Sequence, residues 1–197
     1  MPNEPDDPHV TSEEYLEIDT ASESKHEYVF GEIVKVLGGS LQHSLITANA
    51  CIALGKRLAG GNCRVFDSSL RVCLDRETSF YVYPDLTVVE GAAECLESRD
   101  ETLTNPKIVV EVLSPASLNF DLGSKARMYT RVPTVSDLLI IDQDRVGVEH
   151  WVRWAGGHWD VVLLKDLNDT LKIESIKCDV PLGELYSGIT WPGPRKL

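Results

Sequence analysis

The sequence lacks the cysteine spacing of disulfide-rich and zinc-binding domains. Its five cysteines are an odd number and widely spaced, and no C-x-x-C pair occurs. This usage predicts structural thiols in a reducing, cytoplasmic environment. No apolar run approaches the roughly 20 residues that a membrane helix needs, so no membrane partner is expected. The opening stretch MPNEPDDPHV is acidic and proline-rich, unlike a signal or transit peptide, and predicts a disordered lead-in over residues 1–10.

The sequence also has little positive charge. It carries 19 lysines and arginines against 31 aspartates and glutamates, a net charge of −12. Proteins that bind nucleic acids usually present a basic surface, so contact with DNA would require a local basic groove, metal ions or a partner chain. The residues that we expect to line such a groove lie in the first half of the chain: Lys25, Lys35, Lys56, Arg57, Arg64 and Arg71.

Several common catalytic motifs are missing. The stretch GGSLQHS lacks the G-K-[ST] ending of a phosphate-binding loop, and no G-x-S-x-G nucleophile motif occurs. The segment EHWVRWAGGHW contains His150 and His158, but the alternation of a β-hairpin explains this pattern without a metal or a stacked base. We therefore expect no organic cofactor.

The patterns that are present predict one α+β domain over residues 11–190, with a tail over 191–197. TSEEYLEIDTAS predicts a helix capped by Thr11 or Ser12, and KHEYVFGEIVKVLGG predicts a β-hairpin that turns near Gly31. A longer helix begins after Ser40, where Leu41, Leu45, Ala48 and Ile52 recur at helical spacing, and ends at Gly60-Gly61.

The remaining segments predict a mixed central sheet of the restriction-endonuclease type, flanked by helices and extended by further hairpins. Strands are predicted in CRVFDSS, LRVCLD, FYVYPDLTVV, KIVVEVLS, SDLLIIDQ and the hairpin VGVEHWVRWAGGHWDVVLLK. FDLGSKARMYTRV predicts a helix that starts near Asp121 or Ser124 and ends at Pro133. EGAAECLESRDETLTN predicts a surface loop, and the last segment predicts one strand and a short helix.

Two of these strand-like runs each carry one acid. Asp85 follows Pro84, which lacks a donor for the sheet ladder and therefore marks an edge, a bulge or a bend. Glu111 lies near the end of the run IVVEVL, which Ser114-Pro115 terminates. Burial of a lone carboxylate is costly, and two neighbouring carboxylates repel unless one is protonated or a cation lies between them. A divalent ion with hard oxygen ligands, usually Mg²⁺ with Mn²⁺ as a substitute, would solve both problems.

Five segments in order resemble the Uma-type family of restriction endonucleases in the PD-(D/E)XK nuclease superfamily. They are KHEYVFGEIVKVLGGSLQHSLITANA, YPDLTVV, NPKIVVEVLSPAS, FDLGSKARMYTRVPTVSDLLIIDQ and VPLGELYSGI, which together cover about residues 10–190. The resemblance implies a restriction-endonuclease-like fold in a stand-alone bacterial protein. It also implies metal-dependent cleavage of DNA, by a chain that we expect to form a homodimer.

The same resemblance implies roles for individual residues. Asp85, Glu111 and the carbonyl of Val112 match the metal ligands of the superfamily. The usual lysine position holds Leu113 instead, so Lys125, fourteen residues after Glu111, would supply a displaced lysine. Glu27 matches an acid that could reach the same metal or a second one, and His43 could contact a phosphate from the start of its helix.

Each of these residues also has a structural interpretation. Asp85 could cap a turn, Glu111 could form an ion pair with Lys125 or Arg127, and Lys125 could instead pair with Asp121 on the helix surface. Glu27 could be structural and His43 an exposed helix residue. The alternative function is a catalytically silent, self-associating module of the same fold that binds nucleic acid or protein.

Overall fold

The computed structural model describes residues 10–29, 31–75, 80–97, 99–113 and 122–191. The predicted lead-in and tail therefore lie almost entirely outside the described residues, as do Asp121 and the pair Ser114-Pro115. In the described residues, the helices are α1 (Ser12–Ala21), α2 (Leu41–Leu58), α3 (Leu122–Tyr129) and α4 (Leu182–Leu185), with a 3-10 turn at Glu174–Ile176. No helix among them is long and apolar enough to cross a membrane.

The strands of the first half of the chain are β1 (His26–Val29), β2 (Glu32–Lys35), β3 (Cys63–Asp67), β4 (Arg71–Asp75), β5 (Phe80–Val82), β6 (Leu86–Glu90), β7 (Cys95–Leu96) and β8 (Arg99–Leu103). Those of the second half are β9 (Ile108–Leu113), β10 (Asp137–Asp142), β11 (Val148–Arg153), β12 (Trp159–Leu164), β13 (Thr170–Ile173) and β14 (Cys178–Pro181).

These strands form two six-stranded sheets and one hairpin, which gives the predicted α+β class. The first sheet has the order β2-β1-β5-β4-β8-β7, the second has the order β12-β11-β10-β9-β6-β3, and β13 pairs with β14. Both large sheets are mixed, because β4 runs parallel to β8 and β9 runs parallel to β10. The predicted single central sheet is thus two sheets. One buried apolar cluster joins α2 to the second sheet, and another joins α3 to residues of both sheets.

The predicted strand FYVYPDLTVV is in fact two strands that belong to different sheets. β5 lies in the first sheet and β6 in the second, and Tyr83, Pro84 and Asp85 connect them. A proline that cannot donate to a ladder ends one strand, so the chain can leave the first sheet and join the second. The connection brings Asp85 to the junction between the two sheets.

Two other predictions for strands are wrong. The segment predicted as a surface loop contains β7 and β8, and β8 pairs with β4. Its acidic residues are exposed, while Thr102 and Leu103 are fully buried. The high average polarity of the segment therefore hid the pattern of a strand. The last segment contains the two strands β13 and β14 rather than one, since the 3-10 turn at Glu174–Ile176 reverses the chain between them.

The first two helices begin where the sequence predicts. Thr11 caps α1 in a capping box with Glu14. Ser40 caps α2 by accepting a hydrogen bond from the backbone of His43, and α2 ends before Gly60, which has a φ of 77°. The face of α2 that packs against the second sheet consists of Ile46, Ala50, Ala53, Leu54 and Leu58.

Candidate functional site

Asp85 and Glu111 lie close together where the pairing of β6 with β9 ends. The two strands are antiparallel, and their pairing ends with Leu86 opposite Val110. Asp85 directly precedes Leu86 and Glu111 directly follows Val110, and the charge of Asp85 contributes to a raised pKa of Glu111. The backbone N–H of Val112 donates to Oδ2 of Asp85 at 2.7 Å, which fixes the carboxylate of Asp85 against β9.

Lys125 joins Glu111 to an acid of the other sheet. Its Nζ lies 2.9 Å from Oε1 of Glu111 and 3.0 Å from Oε1 of Glu27, which belongs to β1. The backbone N–H of Tyr83 donates to the same Glu27 oxygen at 3.1 Å. Burial lowers the pKa of Lys125, but the two carboxylates outweigh this effect and raise it, so the amine is held as an ammonium ion.

Tyr129 also belongs to the site, although it was not predicted from the sequence. Its hydroxyl donates to Oε1 of Glu111, the oxygen that also contacts Lys125. Burial raises the pKa of Tyr129 well above its usual value, so the phenol keeps its proton. The signal was present in the sequence, because Tyr129 follows Lys125 by four residues and therefore shares its face of α3.

The pKa of Glu111 is raised in this environment. Burial is the main cause, Lys125 opposes it, and the charges of Asp85 and Glu27 add to the rise. Glu111, Glu27, Asp85, Lys125 and Tyr129 are hereafter the acid–lysine cluster. It contains three carboxylates and one ammonium ion, an excess of negative charge that a further cation would relieve.

His43 extends from the start of α2 to Asp85. Its Nε2 lies 3.2 Å from Oδ2 of Asp85, and this hydrogen bond raises the pKa of His43 against the opposing effect of burial. The backbone of Val112 contributes to the same rise. A Cβ atom at Gly39 would lie 2.5 Å from Nδ1 of His43, so the position of the imidazole requires a glycine there.

An open cleft of about 640 Å³ lies beside this pair. His43 and Asp85 lie on its wall together with Lys25 and Tyr83, and α2 supplies Ser44, Thr47, Ala48 and Cys51. Lys25 donates to the backbone oxygen of Ser68 at 2.6 Å, and its Nζ lies 5.4 Å from the centre of the Tyr83 ring. Of the six basic residues predicted to line a groove, Lys25 therefore borders the cleft.

Arg71 was also predicted to line a groove, and that prediction is wrong. It is only 1% exposed. Its guanidinium contacts Oδ2 of Asp19 at 2.6 Å, Oγ1 of Thr102 at 2.9 Å and Oε1 of Glu101 at 2.9 Å. The hydroxyl of Tyr83 donates to the same Asp19 oxygen at 2.6 Å. We call Asp19, Arg71, Tyr83, Glu101 and Thr102 the Arg71 cluster.

The acid–lysine cluster has a donor set that suits Mg²⁺ or Mn²⁺. Within the described residues, the contacts of Asp85 and Glu111 fall on Oδ2 and Oε1, which leaves Oδ1 and Oε2 for other partners. No group of three His, Cys, Asp or Glu side chains in the described part of the chain is arranged to hold a metal. Mg²⁺ usually takes one or two carboxylates and completes its shell with water and substrate phosphates, so Asp85 and Glu111 would suffice as its side-chain ligands.

The fold belongs to a class that includes a solved nuclease-like protein. The crystal structure of "a putative nuclease belonging to DUF820" from Anabaena variabilis ATCC 29413 matches with a TM-score of 0.73 and 17% identity, over 90% of this chain and 98% of that chain. At this identity, the likeness establishes the fold alone.

The chain belongs to the Uma2 family, described as "Putative restriction endonuclease", whose model matches residues 12–180. "Uncharacterized protein slr1290" of Synechocystis sp. PCC 6803 is 30% identical over 184 residues, which are 93% of this chain and 95% of that protein. "Uncharacterized protein sll1609" of the same organism is 28% identical over 168 residues, which are 85% of this chain and 94% of that protein. The family and the fold agree with the resemblance found in the sequence, and the description of the family supports a nuclease role.

Proposed function

We propose that this protein is an endonuclease that uses Mg²⁺ or Mn²⁺ to hydrolyse phosphodiester bonds of DNA. The observation that carries the proposal is the proximity of Asp85 and Glu111 at the end of the β6–β9 pairing, with the ammonium of Lys125 2.9 Å from Glu111. Two acids can hold a divalent ion, and an ammonium beside them can stabilise the charge that develops on a phosphate.

The backbone of Val112 is the proposed third ligand. The N–H of Val112 donates to Oδ2 of Asp85, so the backbone of Val112 lies directly beside the first proposed ligand. A backbone carbonyl has two lone pairs, so the carbonyl of Val112 could accept a hydrogen bond and still bind a metal ion. A bound divalent ion would act as a Lewis acid that polarises the phosphoryl group.

Lys125 is the proposed group that orients the attacking water and stabilises the negative charge that develops on the phosphate. Its two ion pairs fix its Nζ beside Glu111 and keep it charged. Glu27 then serves as an anchor for Lys125. The hydrogen bond from Tyr129 to Glu111 fixes the rotamer of the carboxylate that shares the lysine.

DNA would enter through the cleft beside His43. Its imidazole, with a pKa raised by Asp85, is a candidate donor to a phosphate oxygen, and Lys25 adds a positive charge on the same wall. Both residues act locally, which is how a chain with a net charge of −12 would hold a polyanion.

The test is nicking of supercoiled plasmid DNA with Mg²⁺, with Mn²⁺ and with EDTA. The wild type should nick only with a divalent ion, and Asp85→Asn and Glu111→Gln should lose the activity. Asp160→Asn, which changes an exposed acid on β12, is the matched control and should behave as the wild type. The proposal fails if Asp85→Asn nicks at the wild-type rate.

Metal binding can be measured separately from activity. Melting temperatures with Mn²⁺ should rise for the wild type and stay unchanged for Asp85→Asn. A wild type that neither nicks DNA nor gains stability from either ion would support the alternative, a silent module of the same fold.

A further inference from the structure

Helix α2 has a second apolar stripe opposite the face that packs into the core. The stripe consists of Leu41, Leu45, Ala48 and Ile52. Leu41 is 87% exposed and Ile52 is 53% exposed, while Leu45 and Ala48 are exposed between them. Four apolar positions on one helix face form a continuous exposed patch, and such patches on folded proteins usually mark an interaction surface.

The spacing of the stripe is that of a helix that packs against another helix. Its steps are four, three and four residues, the alternation of a and d positions in a coiled coil. Its ends are eleven residues apart, so the stripe is about 17 Å long. We call these four residues the α2 seam. A seam of this kind is complementary to a second helix with the same spacing, and a second copy of α2 has that spacing by definition.

The charges around the seam also favour a second copy. The chain as a whole has a net charge of −12, which opposes self-association over most of its surface. α2 contains no Asp or Glu. The residues beside the seam are the neutral Gln42, Ser44, Asn49 and Cys51, and the exposed Lys56 follows Ile52 by one helical turn. Two copies can therefore meet along α2 without acidic side chains facing each other.

We propose that the α2 seam is the interface of a homodimer, in which α2 packs antiparallel against α2 of a second copy across a two-fold axis. The axis passes between Leu45 and Ala48. Leu41 then faces the partner's Ile52, and Leu45 faces the partner's Ala48, so a large side chain meets a small one at the centre. This inference does not depend on catalysis and goes beyond the proposed function.

The seam also borders the candidate site. Ala48 belongs to the seam and lines the cleft of about 640 Å³, together with Ser44 and Thr47 of the same helix. A partner helix on the seam therefore adds a wall to the cleft that contains His43 and Asp85. Dimerisation would narrow the open cleft and bring the clefts of the two copies close to each other.

The first test is the mass of the full chain in solution, measured by sedimentation equilibrium over a series of concentrations. The wild type should reach twice the 21.9 kDa of one chain. Leu41→Lys and Ile52→Glu should each weaken the dimer by about 100-fold or more, since each variant sets an unpaired charge against an apolar side chain twice per dimer. Circular dichroism should remain that of the wild type, because both side chains are exposed in the single chain.

A mixture of the two variants tests the antiparallel register. The lysine that Leu41→Lys introduces in one chain would face the glutamate that Ile52→Glu introduces in the other. The second contact of that pair keeps its native Leu41 and Ile52. The equimolar mixture should therefore dimerise, although neither variant does so alone. A parallel arrangement would place each new charge against an apolar side chain, and the mixture would stay monomeric.

The matched control is Leu163→Glu on β12, an edge strand of the second sheet whose Leu163 is 55% exposed. This variant should dimerise as the wild type does. The proposal is overturned if the wild type is monomeric at every concentration, if Leu163→Glu breaks the dimer while Leu41→Lys does not, or if the mixture of variants stays monomeric.

Discussion

Two polar clusters meet at Tyr83 and differ in how completely they are closed. The side chain of Tyr83 belongs to the Arg71 cluster, while its backbone N–H donates to Glu27 of the acid–lysine cluster. In the Arg71 cluster, Arg71 and Asp19 are each 1% exposed at the side chain. In the acid–lysine cluster, the side chains of Lys125, Glu111 and Glu27 are between 14% and 21% exposed.

The difference separates a structural ion pair from a candidate site. Both oxygens of Asp19 have partners, since Oδ1 accepts from the backbone N–H of His26 at 2.8 Å and Oδ2 contacts Arg71 and Tyr83. Such a closed network links α1 to the first sheet and offers little to a ligand. The acid–lysine cluster has a surplus of carboxylates, and its member Asp85 lies on the wall of the cleft, so this cluster could accept a cation or a substrate.

The largest expected effect is on stability and belongs to the Arg71 cluster. Arg71→Met should lower the free energy of unfolding by about 3–5 kcal/mol, because it leaves Asp19 buried without its cation. Asp85→Asn, at the edge of the open cluster, should cost less than about 1 kcal/mol, since the amide oxygen can still accept from Val112. Urea denaturation of both variants gives the comparison. Equal losses of stability would mean that Asp85 has a structural role, as Arg71 does, and that both clusters mainly stabilise the fold.

The next largest effect is a loss of activity, which we expect for variants of the acid–lysine cluster. Lys125→Met should slow plasmid nicking by about 10²–10⁴-fold, the range for loss of a positioned catalytic group. Lys125→Arg keeps the charge and both acids as partners, and we expect it to retain more activity than Lys125→Met. Arg71→Met, assayed below its melting temperature, serves as the control from the closed cluster. Full activity of Lys125→Met would contradict the proposed role of the lysine.

Tyrosine-to-phenylalanine changes compare the clusters at the level of one hydrogen bond. Tyr83→Phe removes a donor from buried Asp19 and should cost about 1–3 kcal/mol. Tyr129→Phe removes a donor from Glu111, which still contacts Lys125 and has a raised pKa, and should cost less than about 1 kcal/mol. Thermal or urea unfolding measures both changes. The reverse order would show that the acid–lysine cluster is the more rigid of the two.

The smallest effect is the pH dependence of the pair His43 and Asp85. A histidine with a raised folded-state pKa adds stability that is fully present below its unfolded value of 6.5 and is lost as the pH rises through the folded value. The wild type should therefore exceed His43→Gln in stability at mildly acidic pH, by at most about 1 kcal/mol, and the difference should shrink towards alkaline pH. Melting temperatures across pH test this prediction. A difference that grows with pH would mean that the imidazole is bound in its neutral form.

The two acids of the candidate site could be predicted from local sequence, whereas Lys125, Glu27 and His43 were implied by the resemblance to a nuclease family. Pro84-Asp85 and the apolar strand around Glu111 indicated two acids in strand-like runs. The predicted cap at Ser40 placed His43 in the first turn of α2. The contact between Lys125 and Glu111 agrees with the expected position of a displaced lysine, although its catalytic role stays a prediction. Tyr129 and the anchoring of Lys125 by Glu27 were not predicted, because they depend on how α3 lies across two sheets.

Helix α2 also has one feature that the sequence predicted and one that it did not. The spacing of Leu41, Leu45, Ala48 and Ile52 correctly predicted a helix, but the core contacts are made by the other apolar face. A period of 3.6 residues identifies a helix and cannot select between two apolar faces of that helix. Only the packing against the second sheet made that choice, and it left the α2 seam exposed.

The sequence by itself determined the local features of this protein: the helix caps, the strands with a clear apolar pattern, the break at Pro84 and the types of residue available for a site. These depend on interactions within a few residues. The tertiary structure alone decided that FYVYPDLTVV divides between two sheets, that a polar segment contains β7 and β8, and that Arg71 is buried while Lys125 joins acids of both sheets. Each of these depends on contacts between residues that are far apart in the chain, and a single sequence does not record which of them form.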